Sequence, residues 1–187
     1  MARLQWDEIL NNDLKNEWVD FTKNILELSN LKISRCLANK KVRNKVELHG
    51  YADASLKAYG CCLYLRIIYE DEIVSCKLIC SKSRVSLLRT VSLPRLELCA
   101  CVLLAYLSKR ILDIFKNSFH ISSVNLWTDS QICLTWMLSH PSKWNIFVSN
   151  RVAIIQEYTS EFHWRFVRSL DNPADYVSRG LSAKELI

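Results

Sequence analysis

Four acidic residues stand in contexts that set them apart from ordinary surface charge. Asp53 lies near the end of Glu47-Leu-His-Gly-Tyr-Ala-Asp53-Ala-Ser55, and Glu97 lies in Ser92-Leu-Pro-Arg-Leu-Glu97-Leu98. Asp129 follows Leu126-Trp-Thr and precedes Ser130-Gln131, and Asp175 sits in Asp171-Asn-Pro-Ala-Asp175-Tyr-Val-Ser-Arg-Gly180. Clustered carboxylates without His or Cys ligands are hard-oxygen donors, which suit Mg2+ or Mn2+ rather than zinc. Two such ions about 3.5–4 Å apart can activate a water and stabilise the leaving oxygen in phosphodiester cleavage. Without metal, four carboxylates so close could not all ionise comfortably. The spacing therefore predicts that Asp53, Glu97, Asp129 and Asp175 converge on one pair of divalent ions.

Other chemistries fit poorly. Asp53-Ala-Ser55 and Asp129-Ser-Gln131 lack the glycine of an aspartic protease loop, and no G-x-S-x-G elbow is present. With three glycines in all, there is no phosphate-cradling glycine loop. His49, His120, His140 and His163 have no nucleophile partner in sequence and read as structural or exposed.

The elements that must position these residues follow from hydrophobic period. In Val46–Asp53 side chains alternate, so Val46, Leu48, Gly50 and Ala52 share one face and Glu47, His49, Tyr51 and Asp53 the other. Strands over 59–68 and 73–81, joined by the polar turn Tyr69-Glu-Asp-Glu72, complete an antiparallel meander. A basic loop, 82–90, leads to a long helix with Pro94 at its start. That helix is apolar on more than one side and reads as buried, with Glu97 in its first turn. Glu97 taken alone fits a helix N-terminus, where the dipole welcomes negative charge. A strand over 121–127 ends at Asp129; helices follow over 130–138 and 144–158, then a strand over 162–167. The last helix starts at Asn172 as cap and Pro173 as first residue. The order predicts a mixed sheet with helices on its faces, and sites in open sheets gather at the carboxyl ends of strands.

Residues 3–31 carry one apolar stripe through Leu4, Ile9, Leu10, Leu14, Trp18, Phe21, Ile25 and Leu28. The stripe has no partner within its own segment, so it must pack on something, including a second copy. Residues 32–45 are basic and aperiodic: a linker, an exposed strand or a nucleic-acid-contacting arm.

The 187 residues are half hydrophobic and 24% charged, enough for a core and against disorder. The net charge of +6 is compatible with a phosphate-bearing partner and equally with a solvated basic surface. Eight cysteines sit mostly inside apolar runs and read as reduced core residues of an intracellular protein, not as disulfides or a zinc site, since no C-x-x-C pair exists. No signal core opens the chain, and the apolar run 98–107 is half the length of a membrane span.

These motifs together, with Ser83-Arg-Val85 and Phe147-Val-Ser-Asn-Arg-Val152, closely resemble the ribonuclease H-like region of Pol polyproteins of BEL/Pao-type LTR retrotransposons over residues 46–181. Residues 1–45 look like the tail of the connection to the polymerase, so the expected domains are 1–45 and 46–187. The resemblance implies an α/β, ribonuclease H-like fold, a five-stranded mixed sheet whose meander precedes parallel strands flanked by helices. It implies an endonuclease that cleaves the RNA strand of RNA–DNA hybrids with two Mg2+ ions, or Mn2+, held by Asp53, Glu97, Asp129 and Asp175. Nucleic-acid contacts are expected at Ser55, Lys82, Arg84, Ser130 and Gln131, with Arg89 as a further phosphate contact. Hybrid is told from duplex DNA by its 2′-hydroxyls. The expected partners are the hybrid and the parent polyprotein's reverse transcriptase and connection region, with no membrane and no zinc. The expected place is the cytoplasmic retroelement particle or the nucleus, not the secretory route. The loop 168–171 lacks the mobile His that many ribonucleases H carry there, which predicts slower turnover or a substitute group. The rival expectation is an inactive retroelement relic that binds nucleic acid or is only structural.

Overall fold

The computed structural model describes residues 7–9, 11–34, 36–38, 43–86, 91–118 and 120–186, with the side chains of 43 and 44 left aside. The chain forms two units, residues 1–35 with 181–187, and residues 36–180. The sequence boundary was drawn at 45/46; here residues 36–45 go with the sheet and the last seven with the N-terminal unit.

In the larger unit, period-2 alternation builds β1 (Arg43–Ala54), β2 (Ala58–Tyr69) and β3 (Val74–Val85) into an antiparallel meander. After α2 (Leu93–Phe115), β4 (Ser123–Thr128) pairs parallel to β1 and β5 (His163–Phe166) parallel to β4. The order is β3-β2-β1-β4-β5, the mixed sheet expected from the sequence. Between β4 and β5 run α3 (Gln131–Met137), a 3-10 turn at Pro141–Lys143 and α4 (Ile146–Tyr158); α5 (Asp175–Arg179) follows β5.

The core lies on the α2 side of the sheet. Leu48, Leu63, Leu65 and Leu126 from the strands and Leu98, Leu104 and Cys101 from α2 are almost fully buried there. Gly50 is what lets the helix sit so close: a Cβ there would come within 2.7–2.8 Å of Leu104, Leu126 and Leu63 side chains at once. Of the cysteines, Cys61, Cys62, Cys101 and Cys133 are buried as read, but Cys36 and Cys76 are exposed. Cys76 lies on the edge strand β3, whose alternate residues have no facing layer to enter.

Two further expectations change. Lys82 and Arg84 are not in a loop but extend β3, opposite Cys61 and Tyr59 of β2. An edge strand tolerates and even favours such charges, so a basic stretch there need not break the ladder. Arg89 lies outside the described residues. The last helix starts at Asp175 rather than at Asn172–Pro173. Asn172 is buried and spends its side chain otherwise, accepting from Ala174 N–H at 3.1 Å and donating to the Ala52 carbonyl at 3.1 Å.

In the smaller unit, α1 (Asn12–Glu27) is capped by Asn11, which accepts from Leu14 N–H at 2.9 Å. It carries the expected stripe, and Trp18, Phe21 and Ile25 stay exposed. Leu4 and Leu10 lie outside the described residues. The short α6 (Ala183–Leu186) contributes Lys184, 3.7 Å from Glu27. Among the described residues no helix is long and apolar enough to cross a membrane.

Candidate active site

The parallel register of β1 and β4 ends at Ala52 opposite Thr128, so the next residues, Asp53 and Asp129, lie side by side at one rim of the sheet. Asp53 is 5% exposed. Glu97 and Asp175 are half-buried; Asp175 opens α5, whereas Glu97, expected in the first turn of its helix, is the fifth residue of α2 because the helix already starts at Leu93. The helix α5 is brought down on the meander at Gly60, where a Cβ would lie 2.5 Å from Val177 and 2.8 Å from the Lys82 carbonyl. Ser55 Oγ donates to the Ser178 carbonyl at 2.8 Å, tying the β1–β2 turn to the same helix.

The carboxylates feel one another. Burial pushes Asp53 up to about 6, and the charges of Asp129 and Asp175 push the same way, against a hydrogen bond from Ser178. Burial also raises Glu97; a hydrogen bond from Ser130 opposes this and the charge of Asp129 adds to it. Each carboxyl also has a local partner. Ser178 Oγ donates to Asp53 Oδ2, Ser169 Oγ donates to Asp129 Oδ2 at 2.6 Å, and Arg179 Nε donates to Asp175 Oδ1 at 2.5 Å. Asp129 Oδ1 is buried with no hydrogen-bond partner.

The donor set suits a hard dication, being all oxygen, and a buried carboxylate oxygen without a partner is an atom that a cation would satisfy. As the side chains stand, no three His, Cys, Asp or Glu among the described residues are close enough together to hold an ion. Three of the carboxylates are engaged by protein groups, Asp53 by Ser178, Asp129 by Ser169 and Asp175 by Arg179.

The predicted nucleic-acid contacts separate into two groups. Lys82, Arg84 and Gln131 are exposed. Ser130 and Ser55 work within the fold instead. Ser130 is 6% exposed and caps α3, accepting from Cys133 N–H at 3.2 Å. Half-buried Ser55 accepts from Lys57 N–H and Ala58 N–H besides its bond to Ser178. Three residues of the site went unremarked in the sequence: Ser169, Ser178 and Arg179. Only Arg179 carried a local signal, four residues after Asp175 on one helix.

A model of the Pao retrotransposon-like RNaseH-like domain matches residues 1–130. The chain belongs to this family. The match begins earlier than the resemblance drawn from motifs and takes in Asp53, Glu97 and Asp129, whereas Asp175 lies beyond it. No curated protein matches the chain. Among solved structures, the N-terminal RNase H domain of Mycobacterium tuberculosis rv2228c is 12% identical, with 72% of this chain and 91% of that one covered and a TM-score of 0.42. LC11-RNase H1, solved in complex with an RNA/DNA hybrid, is 13% identical over 76% of this chain and 100% of that one, TM-score 0.44. The prototype foamy virus protease–reverse transcriptase is 12% identical over 74% of this chain and 19% of that one, TM-score 0.42. This RNase H-like domain carries the sheet order β3-β2-β1-β4-β5, with Asp53 and Asp129 at one rim.

Proposed function

We propose that this chain is a metal-dependent endonuclease that cleaves the RNA strand of RNA–DNA hybrids, as part of a retrotransposon Pol polyprotein acting within the retroelement particle. The observation that carries the reading is the parallel register of β1 with β4, which sets buried Asp53 beside Asp129 at one end of the sheet. Asp53 is pushed up by burial and by the charges of Asp129 and Asp175, and Glu97 by burial and the charge of Asp129. A protein has no folding reason to crowd acids at a buried rim, and perturbed carboxyls in such a place mark functional sites.

Asp53, Glu97, Asp129 and Asp175 would hold Mg2+ or Mn2+, which when bound supplies water activation and charge stabilisation at the scissile phosphate. The chain's own residues do the rest. Ser178 orients Asp53 and Ser130 orients Glu97 by hydrogen bonds to their carboxylates. Gly60 and Ser55 hold α5, and with it Asp175, against the sheet. Lys82, Arg84 and Gln131 are free to meet the strand's phosphates. Ser169 reaches Asp129 from the loop in which no His is present.

A second reading, a binding relic without catalysis, draws on the Arg179–Asp175 pair at 2.5 Å, which occupies one of the four carboxylates with a fixed cation. The deciding experiment is cleavage of a labelled hybrid with Mg2+ by this chain and by Asp129→Asn. Cutting by the first alone establishes the nuclease. A folded protein that binds hybrid but cuts with neither supports the relic.

A further inference from the structure

The face of the sheet turned away from α2 carries a row of rings that takes no part in the carboxylate rim. His49 and Tyr51 alternate with core residues on β1, Tyr64 does so on β2, Trp127 on β4 and Arg165 on β5. The register makes them neighbours: Tyr64 stands opposite His49, Tyr51 opposite Trp127, and Trp127 opposite Arg165. The Tyr51 and Trp127 planes lie within 12° of parallel with centres 6.2 Å apart, and those of His49 and Trp127 within 11° at 6.3 Å. Trp127 Nε1 donates to His49 Nδ1 at 3.3 Å, which sets the imidazole at the edge of the indole and ties the two together. Tyr64 meets Tyr51 edge-on at 5.9 Å. The Arg165 guanidinium carbon lies 5.8 Å from the centre of the Trp127 ring, at the outer limit of cation–π contact, so it flanks the ring rather than covering it.

Cross-strand aromatic pairing stabilises a sheet, but it does not require the rings to stay open to solvent. The helix α5 meets this face at its Gly60 end, where Val177 packs. His49, Tyr51, Tyr64 and Trp127 are left half-buried, and Arg165 is exposed. The charge here is one-sided. Away from the rim, the acid on this face among the described strand residues is Glu47, and Lys45 and Arg66 already hold it. Arg165 has no ion-pair partner among the described residues. A neutral sugar or an apolar helix has no use for that cation; a ligand that joins flat π-faces to negative charge does. Bases stacked on the aromatics of a sheet, with a basic side chain beside them for the phosphate, are how single strands are held.

We propose that Tyr51, Trp127 and Arg165 form a stacking shelf for single-stranded nucleic acid, separate from the rim at which a hybrid would be cut. Tyr51 and Trp127 stack with bases, His49 and Tyr64 hold these two rings in place, and Arg165 takes a backbone phosphate. The shelf is indifferent to sequence, because every base has a π-face. It requires no metal and no cleavage, so it stands or falls apart from the nuclease reading.

The test is binding of a labelled oligothymidylate of about twelve nucleotides to the full chain, by fluorescence anisotropy across a salt series in EDTA. An oligomer of the same length with abasic sugars keeps the phosphates and lacks the bases. Trp127→Leu and Tyr51→Leu each remove a ring and stay apolar, Arg165→Ala removes the cation, and Trp18→Leu on α1 is the control. Each variant's Tm is measured beside its binding; should Trp127→Leu fail to fold, Tyr51→Leu and Arg165→Ala carry the test. The oligothymidylate is expected to bind, and the abasic oligomer to bind about ten-fold more weakly or worse. Trp127→Leu should weaken thymidylate binding about ten-fold and leave the abasic oligomer as it was. Arg165→Ala should flatten the slope of log K against log salt by about 0.7, the value of one phosphate contact of a single strand. Trp18→Leu should change neither. Equal binding of the abasic oligomer, ring variants that lose no more than Trp18→Leu, or absence of binding overturns the shelf. Displacement of the oligothymidylate by a blunt RNA–DNA hybrid puts the strand at the rim, which overturns the shelf while the nuclease reading stands. Ring-dependent binding by a chain that cuts no hybrid keeps the shelf and removes the nuclease reading.

Discussion

Glu47 and Asp53 project from the same face of β1, and with 7% and 5% exposure they are equally buried, yet their surroundings drive them in opposite directions. Burial alone would raise both. At Glu47, hydrogen bonds from Lys45, Arg66 and His49 outweigh it and hold the carboxyl down to about 2. Lys45 Nζ lies 2.7 Å and Arg66 Nη1 2.6 Å from its oxygens. At Asp53 the side-chain donor among the described residues is a hydroxyl, and the charges of Asp129 and Asp175 add to burial. Arg179, though within electrostatic reach, bonds Asp175 instead, so burial wins and the carboxyl rises to about 6. One end of the strand holds a carboxylate that the fold has satisfied. The other holds one that the fold has left in want of positive charge. A buried acid is therefore not in itself a sign of chemistry; a buried acid among acids is.

The sharpest way to break the comparison is to neutralise each end in turn. Asp53→Asn is expected to abolish metal-dependent cleavage, by about three orders of magnitude or more. Above pH 6 it should also raise Tm by a few degrees, because it removes a charge that the folded state disfavours. Glu47→Gln should leave cleavage unchanged and cost about 1–3 kcal/mol, since it strands two cations that were paired. Melting curves of the two variants at pH 7.5 decide it: Tm shifts of the same sign would mean that the two carboxylates are not different in kind.

Gly60→Ala comes next. Its Cβ would enter the space of Val177 and the Lys82 carbonyl, and the second of these is backbone that cannot swing aside. The helix α5 must then lift from β2, carrying Asp175 and Ser178 away from Asp53. We expect a folded protein, destabilised by about 1–3 kcal/mol, whose cleavage falls far more than its stability. Gly50→Ala is the control, because it meets only side-chain tips in the core; it should lose a similar amount of stability and keep its activity. Equal activity losses in the two would show that Gly60 acts through general stability alone.

How far these positions could be read beforehand differs along the chain. Asp53 and Asp129 were legible because strict alternation and an apolar run ending in an acid are local signals, and the register of β1 with β4 then makes them neighbours. The opposite character of Glu47 was not. Its partner Arg66 is nineteen residues away on β2, and cross-strand pairing decides the outcome. The same holds for Ser178 and Ser169, hydroxyls that meet carboxylates far off in sequence. Lys82 and Arg84 misled in the other direction, since high charge reads as loop where an edge strand has room for it.

The pH dependence of stability separates the two carboxylates without mutation of either site's geometry. Glu47 is held below its unfolded value, so its contribution is complete above about pH 4.5 and is lost as pH falls towards 2. Asp53 is held above its unfolded value, so the folded state is favoured in full below about pH 3.8 and loses that advantage as pH rises through 6. Denaturant titrations should find that Glu47→Gln flattens the acid limb and Asp53→Asn flattens the change between pH 4 and 6. If Asp53→Asn leaves the second window untouched, the crowding of acids at the rim is not what perturbs it.

The smallest effect concerns Arg179, the one cation among the described residues that bonds a carboxylate of the rim. The pair with Asp175 is on the surface at the arginine end, and exposed pairs contribute little, so Arg179→Ala should leave Tm within error. Its consequence is local. With Arg179 present, Asp175 has a fixed counter-charge, and a dication must compete with it for the same oxygen. Removing the arginine leaves Asp175 without its paired cation. The Mg2+ concentration giving half-maximal cleavage should then fall several-fold, with the maximal rate at saturating metal little changed. A half-maximal concentration that stays put would mean that Asp175 keeps to its arginine throughout, and that the working set is Asp53, Glu97 and Asp129, the three carboxylates inside the family match.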